Sequence, residues 1–230
     1  MHWILKQIRK YKVIVSVMIG LIGLSLIWVD NNVLFGIGIS ILASAITSTV
    51  TFIFLDDEDD YKDIKQWGLE KVYPTRGEMN KTADRYLKKT NSVKVIAFGL
   101  RSWRDSQGPE IRRILAKGGS VKIITMKPNC QNLKAREADE RQNISDSIRE
   151  LIEWAKGLDG DIQIRYHDHM PQMFVFILSN RLFTGPYEYG KGSQQTISFE
   201  YNNIGTAYEY YENYFDRLWN DSSFCEDALG

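Results

Sequence analysis

His167, Asp168 and His169 are the first residues whose types and spacing could do chemistry. On an extended segment, His-x-His points both imidazoles the same way, which suits two ligands of a metal ion. A metal site needs a third ligand, and none stands nearby in the sequence. The same spacing equally describes two solvated loop histidines, so no metal and no other cofactor is expected. Ser193, in the stretch Lys191-Gly192-Ser193-Gln194-Gln195-Thr196, lacks the Gly-x-Ser-x-Gly frame that aims a hydrolase serine. No catalytic residue is assigned.

A second group of residues carries binding chemistry. "FGLRSWR" (98–104) offers Arg101, Trp103 and Arg104, and "TMKP" (125–128) offers Thr125 and Lys127. Further on come Tyr187, Tyr189, Lys191, Ser193, Gln194 and Gln195. Guanidinium forks fit phosphate, aromatic faces stack on bases, and amides read base edges. Taken singly, each cation also reads as a solvated helix start, and Trp103 and Tyr187 as core. Their clustering on loops expected to be neighbours, where parallel α/β sheets bind ligands, points to a phosphorylated ligand.

The elements that must position these groups read as one α/β domain over residues 61–230. A helix is expected from about Tyr61 to Tyr73, with Ile64, Leu69 and Val72 inward and Pro74 ending it. A second helix runs from about Glu78 to Lys89. "SVKVIAFG" (92–99) is a buried strand, followed by a helix to Lys117 that two glycines terminate. "SVKIITM" (120–126) is the next strand. One long helix then covers about Leu133 to Lys156, with Ile144, Ile148, Leu151, Ile152 and Ala155 on one face. "DIQIRYH" (161–167) alternates as a strand. "QMFVFIL" and "RLFTGP" pair around Ser179-Asn180, "QTISFEY" follows, and a helix over Thr206–Asn220 buries Ala207, Tyr211, Phe215, Leu218 and Trp219. Strands alternating with helices imply a parallel core, and the later pair an antiparallel edge, hence a mixed sheet.

Charge excludes one class of partner. Lys plus Arg and Asp plus Glu each number 29. Residues 1–60 hold four cations and six acids, which leaves 25 against 23 in the rest, too even for a general nucleic-acid binder. Cys130 and Cys225, far apart, give no disulfide framework and point to a reducing compartment.

The first 60 residues read as a transmembrane hairpin. Residues 13–29 and 33–55 are two uncharged apolar runs, each near the roughly 20 residues that cross a bilayer core. Only Asp30, Asn31 and Asn32 separate them, so a second span follows too closely for a cleaved signal peptide. Lys6, Arg9, Lys10 and Lys12 precede the first span, which places both termini in the cytoplasm. Trp3 and Trp28 fit the interfaces. Gly36, Ser40, Ser44 and Ser48 recur every four residues beside Ala43, Thr47 and Thr51, forming a small, hydroxyl-bearing stripe. Such a stripe serves close helix packing or lines a water-filled pore, and both imply a homo-oligomer in membrane lipid. The acidic run Asp56–Asp60 is a solvated segment or a cation-attracting vestibule.

The order of strands and helices also resembles a single half of a phospholipase-D-superfamily domain, over about residues 61–220. The carriers are "VKVIAFGLRSW", "GGSVKIITMKP" and "IQIRYHDHMPQMFVFILSNRLFTGPY". That family places His-x-Lys on the strand entering a turn, with an acid near it. Here Pro171, Gln172 and Met173 stand near where histidine and lysine are expected, and Ser179 and Asn180 where the family has acids. In the family, histidine attacks phosphorus and lysine stabilises the phosphoryl charge. The resemblance therefore implies the fold with a degenerate reacting centre, a binding domain and not an enzyme. Two spans joined to such a domain resemble small bacterial antiphage membrane effectors. That likeness implies an inner-membrane ion channel or pore gated by a nucleotide or oligonucleotide, which a nucleotidyltransferase encoded elsewhere would supply. The alternatives are a membrane-bound phosphodiesterase (phospholipase or nuclease) using His167 or His169, and a passive scaffold.

Overall fold

The structure, a computed structural model, describes residues 2–29, 31–55 and 57–229, with side chains described at residues 11, 14–29, 31–50 and 62–229. Trp3, Lys6, Arg9, Lys10, Lys12, Thr51 and the acidic run Asp56–Asp60 carry side chains outside that set, and Asp30 lies outside it altogether. The chain divides into residues 1–63 and 64–230.

In the first unit, helix α1 (His2–Ile27) packs against helix α2 (Asn32–Leu55). Asn31 caps α2 by accepting the Val33 amide at 2.9 Å. The contact is close because glycines form it: a Cβ on Gly23 would lie 2.9 Å from the Leu42 nitrogen, and one on Gly38 2.7 Å from the Gly23 carbonyl oxygen. From Asn32 to Val50, α2 is long and apolar enough to cross a membrane, whereas the described apolar part of α1, Ile14–Ile27, is shorter. The small-residue stripe mostly avoids the α1 contact. Gly36 faces open space, Ser40 and Ser44 are exposed, and Ser48 is half-buried. The Ser40 and Thr47 hydroxyls donate back to the Gly36 and Ala43 carbonyls at 3.1 and 2.9 Å.

The second unit is a mixed eight-stranded sheet. Its strands are β1 (Leu69–Tyr73), β2 (Ser92–Ile96), β3 (Ser120–Met126), β4 (Asp161–His167), β5 (Met173–Leu178), β6 (Arg181–Pro186), β7 (Ser198–Asn202) and β8 (Glu226–Asp227). They lie in the order β1-β7-β6-β5-β2-β3-β4-β8. Strands β2, β3 and β4 run parallel and every other pairing is antiparallel. The alternation of β5 shows how both faces are covered. Phe174, Phe176 and Leu178 join the core under α4 (Arg76–Leu87), α5 (Arg101–Ala116) and α7 (Ile144–Lys156). Val175 and Ile177 join the core under α8 (Thr206–Asn220). Two covered faces explain why this strand reads as an unbroken apolar run.

Three elements depart from the sequence expectation. Helix α3 (Asp57–Trp67) ends at Gly68, whose φ of 76° stops it, and Leu69–Tyr73 is an edge strand on β7. Ile64 and Val72 are exposed, while Tyr73 turns inward and donates its hydroxyl to Glu200 at 2.5 Å. Gly68 is obligatory for a second reason: a Cβ on it would lie 2.7 Å from the Gly205 Cα. The single long helix is two, α6 (Gln131–Glu140) and α7. Arg141 (φ 53°) breaks the first, and Asn143 caps the second by accepting the Asp146 amide. The short strand β8 and a 3-10 turn at Ser193–Gln195 were not anticipated.

Candidate functional site

The main cavity, of about 310 Å³, opens at the carboxyl end of β2. The local sequence builds it. After β2 the chain reaches Gly99, where a Cβ would lie 2.6 Å from Ser147, so α7 packs directly on the backbone there. Leu100 then adopts a left-handed conformation (φ 52°, ψ 23°) and starts α5 with no side-chain cap. The first turn of α5 (Arg101, Ser102, Trp103) thus lines the cavity at the positive end of the helix dipole, and that end carries no side-chain cap. The floor is aromatic, with Phe174 and Phe176 from β5 and Tyr187 just after β6.

Arg76 enters from α4. Thr75 caps that helix by accepting the Glu78 amide, which makes Arg76 its first residue. The guanidinium carbon sits 3.9 Å from the centre of the Phe174 ring and 5.8 Å from that of Tyr187. Arg76 Nε, Trp103 Nε1 and the Tyr187 hydroxyl are each buried with no hydrogen-bond partner. Such groups cost free energy when left unmade, and all three belong to residues lining one cavity.

The wall also contains Glu140, whose carboxylate pairs with Arg136. Arg136 is 5% exposed and donates to the carbonyls of Glu188 and Lys191 at 3.1 and 3.3 Å. It neutralises the wall carboxylate and fastens the loop that leads into the 3-10 turn. With Glu140 so paired, and with Arg101 3.8 Å from the Glu150 carboxylate, Arg76 gives the cavity its cationic character. Asn80 of α4 closes the rim by donating to Gln194 at 3.0 Å.

Six of the sequence-nominated residues come together here: Arg101, Trp103, Tyr187, Ser193, Gln194 and Gln195. Four do not. Arg104 pairs with Asp105 and Glu150. Thr125 is fully buried and donates to the Phe98 carbonyl at 2.9 Å. Lys127 pairs with Glu226 at 2.7 Å on another edge, and Lys191 pairs with Glu188 at 2.5 Å. Sequence reasoning missed Arg76, Asn80, Glu140, Phe174 and Phe176. The Thr75-x-x-Glu78 box was the signal that would have started α4 early enough to place Arg76.

The histidines stand elsewhere. Phe224 stacks nearly parallel to both His167 and His169, at centroid distances of 5.3 and 4.8 Å. His167 is 4% exposed, both its ring nitrogens lack partners, and burial, with His169 second, pushes its pKa down to about 4. A smaller cavity of about 140 Å³ adjoins it, lined by Lys127, Cys225 and Glu226 among others. Among the described residues no three His, Cys, Asp or Glu side chains gather as a metal site. Pro171–Met173 lie at the cavity end of β5, whereas the Ser179 hydroxyl, at the far turn, bonds Thr90 and Asn91.

No family model matches the sequence, and no curated protein matches it. One solved structure, that of TrmBL2, an archaeal chromatin protein with a novel mode of DNA binding, has a TM-score of 0.45 and 13% identity. The match spans 78% of this chain and 68% of that one. A likeness of that size carries no argument.

Proposed function

We propose that residues 64–230 form a degenerate phospholipase-D-like sensing domain that takes a phosphorylated nucleotide in the cavity beside β2. The observation that carries this reading is one cavity lined together by Arg76, stacked on Phe174, by the uncapped start of α5 with Arg101, and by Trp103 and Tyr187, whose polar atoms are buried without partners. The phosphate meets the uncapped start of α5 and Arg101, since helix N-termini bind anions. The base stacks on the guanidinium and aromatic floor. In the same reading the apolar helices anchor the protein in a bacterial inner membrane, self-associate, and answer ligand by opening a conduit or disturbing the bilayer. A role as an antiphage effector, fed by a nucleotidyltransferase, rests on architectural analogy alone.

The test is calorimetry on the full chain in detergent with nucleoside monophosphates and linear and cyclic dinucleotides. Saturable binding that Arg76→Ala abolishes supports the reading. No binding by any of them to folded protein overturns it. Phosphodiester cleavage that is lost in His167→Ala would favour the hydrolytic alternative.

A further inference from the structure

We infer that Asn80 and Gln194 read the edge of the bound base, and that this base is adenine; the inference rests on the nucleotide reading above. The two amides come from elements far apart in sequence, α4 and the 3-10 turn, and meet at the cavity rim. Asn80 Nδ2 donates to Gln194 Oε1 at 3.0 Å, which fixes the orientation of each amide. Asn80 keeps its Oδ1 acceptor and one N–H donor, and Gln194 keeps two N–H donors.

The neighbours give these atoms their aim. Arg76 and Asn80 are four residues apart on α4 and so share a helix face. Arg76 lies over Phe174, so a planar base resting on that platform presents its edge toward Asn80. Gln194 is held from the other side, because Arg136 pins the preceding loop and the Gln195 amide donates to the Gly192 carbonyl at 2.9 Å. Reading groups held in place before the ligand arrives discriminate best.

The chemistry selects among bases. An amide with a free acceptor beside a free donor matches the N6 donor and N7 acceptor of adenine. Guanine calls for a guanidinium fork at O6 and N7, but Arg76 is laid against a ring as a stacking surface, and Arg101, beside Glu150 at 3.8 Å, is the cation that meets the phosphate. Cytosine calls for a carboxylate acceptor, and the wall carboxylate, Glu140, is taken by Arg136.

Calorimetry on the full chain in detergent with AMP, 7-deaza-AMP, IMP, GMP and UMP tests this. The wild type should bind AMP about tenfold more tightly than IMP, GMP or 7-deaza-AMP. Asn80→Ala, on a helix that accepts alanine, should lower AMP affinity about tenfold and IMP affinity less, since IMP keeps the N7 acceptor but lacks the N6 donor. Gln194→Ala should narrow the same preference, with melting temperature as the check on folding. Equal binding of all five by the wild type, or an AMP preference that survives Asn80→Ala, overturns the base assignment and leaves the nucleotide reading standing. Failure of every nucleotide to bind overturns both.

Discussion

The carboxyl ends of β2 and β4 lie two strands apart in one sheet and present two clusters of aromatic and unpartnered polar groups. At β2 the unpartnered atoms belong to Arg76, Trp103 and Tyr187, around about 310 Å³ of space with two guanidiniums and a neutralised carboxylate. At β4 they belong to His167, 4% exposed and stacked on Phe224 beside about 140 Å³. The histidine cluster stood out in sequence, yet its ring is sealed and Lys127 is already paired with Glu226. The plainer cluster lines the larger space with Arg76, Arg101 and the amides of Asn80 and Gln194. Residue type nominates a site, but uncommitted charge next to volume decides between candidates.

Reversing a charge breaks the comparison most sharply. Arg76→Glu removes the guanidinium platform over Phe174 on which the base rests and puts a carboxylate into a cavity that is to hold an anionic ligand. Nucleotide affinity should fall about a hundredfold or more, read by calorimetry at unchanged melting temperature. Retention within twofold would dismiss the β2 cavity as the site.

Much of this contrast was legible beforehand, for physical reasons that differ by element. Strands β3 and β4 and helix α8 have the bounds read from sequence, because unbroken or alternating apolar runs between polar breaks admit one period only. Leu69 and Val72 misled: their three-residue spacing mimics a helix face, and only Gly68, held against Gly205 from the far end of the chain, cancels it. Ile144 to Ala155 do form a helical stripe, but it belongs to α7 alone, since the break at Arg141 carries no glycine or proline. Trp103, Tyr187, Gln194 and Gln195 were legible as strand-end loop residues. Phe174 and Phe176 were not, because floor and core use the same residues. Asn80 was hidden by tertiary packing, since α4 turns it toward the 3-10 turn.

The β4 cluster should declare itself through acid stability instead. His167 is neutral when folded, with its pKa near 4, and is protonated below about pH 6.5 when unfolded. The unfolded state therefore takes up the proton, so stability is full above pH 6.5 and falls as pH drops toward 4. The loss should reach about 3 kcal/mol at pH 4. His169 opposes protonation and Asp168 favours it, while Lys127, Cys225 and Glu226 line the same recess. His167→Phe keeps a ring against Phe224 and removes the titration. Denaturant midpoints at pH 7.5 and 4 should show the variant losing less than the wild type; equal losses would place the acid sensitivity elsewhere.

The smallest expected effect makes the sharpest division between the two clusters. Phe224, on which His167 and His169 stack, packs against the core under α8, whereas Val95, Phe174 and Phe176 of the cavity belong to the core on the opposite face. Strand β3 separates β2 from β4, a gap of about 10 Å at the usual spacing. Neither histidine lines the cavity, and the residues of the smaller recess share none of its lining. Joint replacement, His167→Phe with His169→Ala, should therefore change nucleotide affinity less than about twofold, as distant independent sites do. Calorimetry at pH 7.5, where His167 is neutral in the wild type, keeps the acid effect out of the reading. A tenfold loss with the fold intact would join the two clusters into one site and return the histidines to the chemistry their spacing first invited.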